Sequence, residues 1–205
     1  MGKFITFEGG EGAGKTTLID SLKKYFDENN IDYIATREPG GVKVCEEIRN
    51  IVKYSTEEIS KRAELLLFSA SRAELTQRLI RPSLESGKIV LCDRYFDSTR
   101  VYQGFANGLK DEYVMSITNF ATNGLVPDIT FYLDIDPKVA FLRKGGQDKG
   151  DRIEERDLSY HYMVRDGYNK IAKDDPRFVI LDATLSKETI LEQVLQKLRT
   201  ENIIE

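Results

Sequence analysis

The chain has 205 residues, 30 Lys and Arg against 34 Asp and Glu, a formal net charge of −4 and 40% hydrophobic residues. That length suits one sizeable α/β domain spanning 1–205 and is short for two. An acidic balance, with a sequence pI near 5.3, excludes a broad nucleic-acid-binding face. No apolar run approaches ~18 residues, which excludes a membrane-spanning helix, and no basic-then-apolar leader marks a secretory signal.

The first apolar run, Lys3–Glu8, predicts a buried strand. Met1-Gly2 and the next residues fit a loose N-myristoylation pattern, but a central strand has no free arm for a lipid. Directly after it, Gly9-Gly10-Glu11-Gly12-Ala13-Gly14-Lys15-Thr16 matches G-x-x-x-x-G-K-[ST] in full. Leu18, Leu22, Tyr25 and Phe26 then recur at helical spacing over about 15–28. Strand, glycine loop, helix is the context that a phosphate-binding P-loop requires. The glycines let backbone N–H groups turn around a triphosphate, and the helix opening adds its positive end. Lys15 reaches the β- and γ-phosphates, while Thr16, followed by Thr17, offers a hydroxyl to Mg²⁺.

A weaker strand, Asp32–Thr36, leads into Thr36-Arg37-Glu38-Pro39-Gly40-Gly41. Helices follow at about 42–53, with Arg49, and 57–85, with Phe68-Ser69-Ala70-Ser71-Arg72. Phe68 and Arg72 are four residues apart and share a helix face. An aromatic beside a guanidinium suits a base, although Phe68 alone reads as a core residue. The third strand, Ile89–Cys92, ends at Asp93-Arg94-Tyr95-Phe96-Asp97-Ser98-Thr99-Arg100-Val101-Tyr102-Gln103-Gly104. Strand ends in an open α/β sheet border the ligand crevice. These three segments therefore face the P-loop and suit a second phosphorylated ligand.

Helices at about 111–122, 137–144, 157–174 and 186–199 alternate with strands Ile129–Ile135 and Val179–Leu181. The sum is a five-stranded, doubly wound parallel sheet flanked by helices. Residues 143–152 hold three glycines, six charges and no apolar side chain. They read as a mobile lid over phosphates, with a plain solvated loop as the alternative. Cys45 and Cys92 make neither a disulfide framework nor a C-x-x-C pair, and Cys92 reads as a buried small hydrophobe. Such usage suits a reducing cytoplasm. His161, the single histidine, is expected to be an ordinary exposed or partly buried side chain without metal partners.

These segments together resemble bacterial thymidylate kinase, in the P-loop nucleoside monophosphate kinases. The likeness runs from F-E-G-G-E-G-A-G-K-T-T through T-R-E-P-G-G, L-L-F-S-A-S-R, D-R-Y-F-D-S-T-R-V-Y-Q-G and D-R-I-E-E-R to the terminal helix. It implies transfer of the γ-phosphoryl of ATP to the 5′-phosphate of dTMP, giving dTDP and ADP on the way to dTTP. It also implies Mg²⁺ with ATP, and a homodimer whose interface the 42–53 and 57–85 helices are long enough to supply. By the same resemblance Gly9 to Thr17 hold ATP, Arg94 clamps the phosphates of both substrates, and Asp93 holds Mg²⁺ through water or partners Arg94. The thymine ring stacks on Phe68 and its O4 meets Arg72, with Thr99 and Gln103 near the pyrimidine edge. Tyr102, four residues after Ser98, crowds the 2′ position. Arg37, Glu38, Pro39 and Arg49 lie about the dTMP phosphate and its pocket, and Glu8 binds the 3′-OH. Arg143 packs on adenine. Glu11, acidic within the P-loop, resembles the bacterial type in which the lid supplies the catalytic cation. Here Arg152 is favoured over Lys144 and Lys149, although relatives carry more lid arginines. Arg100 departs from the family's apolar residue without an evident role.

Two other readings use the same motif. One is a kinase for another pyrimidine nucleotide such as dUMP, since a single methyl is worth only ~1–3 kcal/mol. The other is a P-loop switch or regulatory ATPase, against which the three acceptor segments argue. No Asp-x-x-Gly occurs and Asn169-Lys170-Ile171-Ala172 lacks the aspartate that reads guanine, which argues against a GTPase switch.

Overall fold

The computed structural model describes residues 2–143 and 156–205. Most of the predicted lid, with Lys144, Lys149 and Arg152, lies outside the described residues. Five strands, β1 (Phe4–Glu8), β2 (Tyr33–Arg37), β3 (Ile89–Asp93), β4 (Ile129–Asp134) and β5 (Phe178–Asp182), form one all-parallel sheet in the order β2-β3-β1-β4-β5. The predicted architecture is thus observed, with strand boundaries shifted by at most one residue. β2 and β5, the sheet edges, are only partly buried, which is why Asp32–Thr36 carried the weaker apolar signal.

Successive strand residues face opposite sides. Ile5, Phe7, Ile89 and Leu91 join one core with Leu18, Leu22 and Phe26 of α1 (Lys15–Glu28) and Val194 and Leu198 of α9 (Lys187–Thr200). Phe4, Val90 and Cys92 point the other way, to α2 (Lys43–Tyr54), α3 (Lys61–Leu75) and α4 (Arg81–Glu85). A third core joins Tyr132 to Val164 and Tyr168 of α8 (Leu158–Asp174). Helix starts are capped where the sequence supplies an oxygen: Ser60, Asp157 and Ser186 accept from Ala63, Tyr160 and Thr189 N–H.

Two helices differ from expectation. The predicted 57–85 helix begins at Lys61, and α3 passes through a π-helical stretch, Thr76–Ile80, before α4. Pro82 lacks an N–H for the regular ladder, and the Arg81 N–H reaches back five residues to the Thr76 carbonyl. After β3 the short α5 (Phe96–Thr99) likewise opens into a π-helical stretch, Arg100–Ala106. α6 (Asp111–Thr122) and α7 (Pro137–Arg143) follow the predicted spacing.

His161 corrects the sequence reading. It is buried, edge-on to Phe141 and Tyr160, because it shares the inner face of α8 with Val164 and Tyr168. Arg100 gains an account: its guanidinium makes a two-pronged contact with Asp111 at 2.9 Å twice, tying the π stretch to the start of α6. Cys45 and Cys92 are free and buried. No helix among the described residues is long and apolar enough to cross a membrane.

Candidate active site

The P-loop is shaped by β1 and by two close approaches. A Cβ on Gly9 would stand 2.7 Å from the Leu133 carbonyl oxygen and one on Gly12 2.8 Å from that of Ala140, and both have positive φ. Only glycine lets the loop pass between β4 and α7. Gly14, also at positive φ, opens α1, whose first turn has no side-chain cap and no acidic residue, so its N–H groups and positive end face an incoming anion. Lys15 folds back, donating to the Gly9 and Gly10 carbonyls at 3.1 and 2.9 Å. Its burial, then the nearby Arg94 charge, lower its pKa, against the pull of Asp93, Glu11 and Glu8. Thr16 Oγ1 donates to Asp93 Oδ2 at 3.3 Å, which joins the loop to the end of β3. Asp93 therefore partners Thr16, and the partner of Arg94 is Glu11.

Arg94 sits at φ +68°, a left-handed conformation that costs a non-glycine residue about 1–2 kcal/mol. It turns its guanidinium to the loop: Nη2 meets Glu11 Oε1 at 2.5 Å and Nη1 the Gly9 carbonyl at 2.9 Å. Nη1 also reaches Ser98 Oγ and Tyr168 OH at 3.2 and 3.3 Å, and the group lies over the Tyr102 ring. Behind it Glu8, fully buried, is saturated. Its Oε1 accepts from the Tyr95 N–H at 2.8 Å, and Oε2 from Ser98 Oγ at 2.6 Å and Tyr168 OH at 2.7 Å. A buried carboxylate demands such partners. Tyr168 was missed from sequence because it lies 160 residues away in a helix without a motif.

The opposite wall comes from α3 and the segment after β2. Arg72 is 1% exposed. Its Nε donates to Glu38 Oε2 at 2.8 Å and its Nη2 to Thr99 Oγ1 and the Tyr95 carbonyl at 2.9 and 3.2 Å. Arg72 Nη1 and Glu38 Oε1 are buried without a hydrogen-bond partner among the described residues, so two polar atoms here await a ligand or water. Arg49 donates to the Pro39 carbonyl at 2.9 Å, and Arg37 pairs with Glu46. Gln103 Nε2 donates to Glu64 Oε1 at 2.9 Å.

Burial pushes the Glu38 carboxyl from 4.5 up to about 7, against the charge and hydrogen bond of Arg72. The folded protein then keeps a proton that the unfolded chain releases near pH 4.5. The contribution of Glu38 to stability is therefore full below pH 4.5 and falls as pH rises to about 7. Glu38→Gln should remove that part of the slope when urea midpoints are measured across the window; an unchanged slope would mean that Glu38 is ionised throughout it.

One cavity of about 490 Å³ joins both walls. Its lining contains Glu11 to Thr17, Arg37, Glu38, Pro39, Arg49, Phe68, Arg72, Asp93, Arg94, Ser98, Thr99, Tyr102, Gln103 and Arg143. Lys53 and Tyr95 line it as well and were not predicted. Glu8, Gly9 and Gly10 stand behind the wall and act on it through their bonds. Arg143 donates to the Ala183 and Thr184 carbonyls at 2.6 and 3.2 Å, fixed against the turn after β5. A phosphate cradle, a hydroxyl–carboxylate pair and a second basic and aromatic wall around one cavity define a P-loop nucleotide-binding protein with room for a second ligand.

The family model for thymidylate kinase matches residues 7–194. The chain is 45% identical over 199 residues to a thymidylate kinase of Dehalococcoides mccartyi, covering 96% of this chain and 95% of the relative. It is 42% identical over 203 residues to that of Finegoldia magna (98% and 100%) and 44% over 196 to that of Symbiobacterium thermophilum (95% and 91%). The chain belongs to the thymidylate kinase family.

Proposed function

We propose that the chain transfers the γ-phosphoryl group of ATP to the 5′-phosphate of dTMP, giving dTDP and ADP, a step toward dTTP. The observation that carries this reading is the single cavity with the P-loop on one wall, Phe68 and Arg72 on the other, and Arg94 touching both. Such a transfer needs two anionic substrates held in line and their charge neutralised, with no covalent bond to the protein. Lys15 and the N–H groups of the loop bind the ATP phosphates, and Arg94 bridges to the acceptor phosphate, with Arg37 and Arg49 beside it. Phe68 stacks on thymine, Arg72 Nη1 donates to O4, and Tyr102 crowds the 2′ position. Glu8 holds Ser98, which lines the cavity, and acts toward the sugar 3′-OH from behind it. Arg143 packs on adenine, and from 143–152 Arg152 is the proposed cation at the transferring group.

Thr16 and Asp93 fit Mg²⁺: both give hard oxygen donors and they stand 3.3 Å apart. No cluster of three or more His, Cys, Asp or Glu suited to a metal occurs among the described residues, as expected where phosphates and water complete the shell. The ion would neutralise charge on the β- and γ-phosphates.

The direct test is ADP release with ATP and Mg²⁺ across dTMP, dUMP, dCMP, UMP, AMP and GMP. We expect dTMP to be the best acceptor by kcat/KM, with dUMP second. A different preferred monophosphate would overturn the base reading, and ATP hydrolysis without acceptor dependence would return the switch ATPase. Free, buried cysteines suit a reducing compartment, so we place the enzyme in the cytoplasm. A homodimer is supported by exposed apolar side chains on α2, α3 and α6: Ile51, Tyr54, Leu66, Tyr113 and the 89%-exposed Phe120. Phe120→Asp should shift the sedimenting species toward the monomer, and an unchanged dimer would place the interface elsewhere.

A further inference from the structure

Glu64 lies on α3 four residues before Phe68 and eight before Arg72, on their helix face. It is 3% exposed, and its Oε1 accepts from Gln103 Nε2 at 2.9 Å and from Asn107 Nδ2 at 3.2 Å. We infer that Glu64 is a positioning residue that turns the Gln103 amide so that its carbonyl oxygen faces the base, selecting a ring that carries N3–H over one with a bare N3. The inference rests on the pyrimidine reading above and deepens it.

A side-chain amide has a donor end and an acceptor end of nearly equal size, and its neighbours decide which way it lies. Two amide donors converge on one Glu64 oxygen, which therefore acts as the acceptor. Turning Gln103 over would set its carbonyl against that oxygen and lose the bond. With Nε2 engaged by Glu64, Gln103 has only Oε1 to offer the cavity that it lines, and no donor meets Oε1 among the described residues. Arg72 contributes the complementary donor, the unpartnered Nη1. One acceptor and one donor match the N3–H and O4 of thymine or uracil. Cytosine reverses both, with a bare N3 and an amino group, and leaves buried polar groups unpaired. The 5-methyl is not read by this pair, so dUMP is not excluded by it.

The test is Glu64→Gln, which keeps the volume but lets the residue at 64 donate as well as accept, freeing Gln103 to turn. Steady-state kinetics with dTMP and dCMP at saturating ATP should show KM for dTMP rising about tenfold, more than kcat falls. The dTMP-over-dCMP ratio of kcat/KM should drop about tenfold, with KM for ATP little changed. In a Gln103→Leu background the same substitution should leave the ratio where Gln103→Leu put it. Exchanging the pair, Glu64→Gln with Gln103→Glu, puts an acceptor-only carboxylate at the base and should restore the ratio to within about threefold of the starting protein. A folded Glu64→Gln with an unchanged ratio overturns the inference, as does an exchanged pair that fails to restore it. Should Glu64→Gln not fold, the exchanged pair decides by that same threshold. A starting protein without preference for dTMP over dCMP would bring down the pyrimidine reading itself; a preference insensitive to Glu64 brings down this inference alone.

Discussion

Arg94→Ala should lower kcat for dTMP phosphorylation about 10²–10³-fold, the loss typical of removing a donor aimed at charge that develops in the transition state. The expectation follows from where the guanidinium sits. It touches the P-loop through Gly9 and Glu11 and the acceptor wall through Ser98 and the Tyr102 ring. A group with contacts on both substrates' walls can follow negative charge as it moves from one to the other. Stability should change little. Alanine tolerates φ +68° no worse than arginine does, and the Glu11 side chain left behind keeps 21% exposure, enough for water to solvate it. Arg94→Lys should recover only part of the rate, because an ammonium cannot hold two partners in a planar fork. Rapid-quench measurement of the chemical step, beside a melting curve, checks both statements. Near-normal turnover in Arg94→Ala would remove this residue from the mechanism.

Arg72→Met should raise KM for dTMP by roughly 10–100-fold, the worth of a charge-assisted hydrogen bond, and leave KM for ATP almost unchanged. It should also cost about 3–5 kcal/mol of stability, since breaking a buried ion pair strands its partner. Glu38 would then keep its proton, which it is already disposed to do, so the lower end applies. For a chain of this size that is a fall in melting temperature of about 6–12 °C. Recognition and stability separate in the double variant Arg72→Met with Glu38→Met. An apolar pair of similar volume should return most of the stability, while dTMP binding stays weak. If the double variant regained dTMP affinity as well, Arg72 would act by holding the wall in shape rather than by touching the base.

What was legible before the structure follows the range of each interaction. The P-loop is a local object: eight consecutive residues, a strand before and a helix after, so the sequence carried its geometry almost entirely. The segments after β2 and β3 were legible for a topological reason, because parallel strands deliver their C-terminal ends to the same crevice. Missed were the partners that reach the site from distant helices with no pattern of their own. Tyr168 bonds Glu8 from a helix whose apolar periodicity explains it as an ordinary core position, and Glu64 bonds Gln103 from the first turn of α3, where an acidic residue reads as an ordinary helix start. His161 was misread for a related reason: charged neighbours in sequence concealed that it occupies the inner face of α8. Thr99 and Gln103 were assigned to a regular helix. They reach the cavity from either side of an α-to-π junction, whose register local composition does not encode.

The central position of β1 has a consequence for how this protein is made. β1 is hydrogen-bonded between β3 and β4, so the ribosome releases the phosphate-binding strand long before its two neighbours exist. Glu8, at the strand's end, finds Tyr168 only after 160 further residues are added, roughly 8–32 s at ordinary synthesis rates. Tyr95 and Ser98 follow Glu8 by 87 and 90 residues, so the carboxylate meets these two partners first and waits longest for Tyr168. The phosphate-binding loop is thus translated well before β4 and α8, the elements that complete its surroundings.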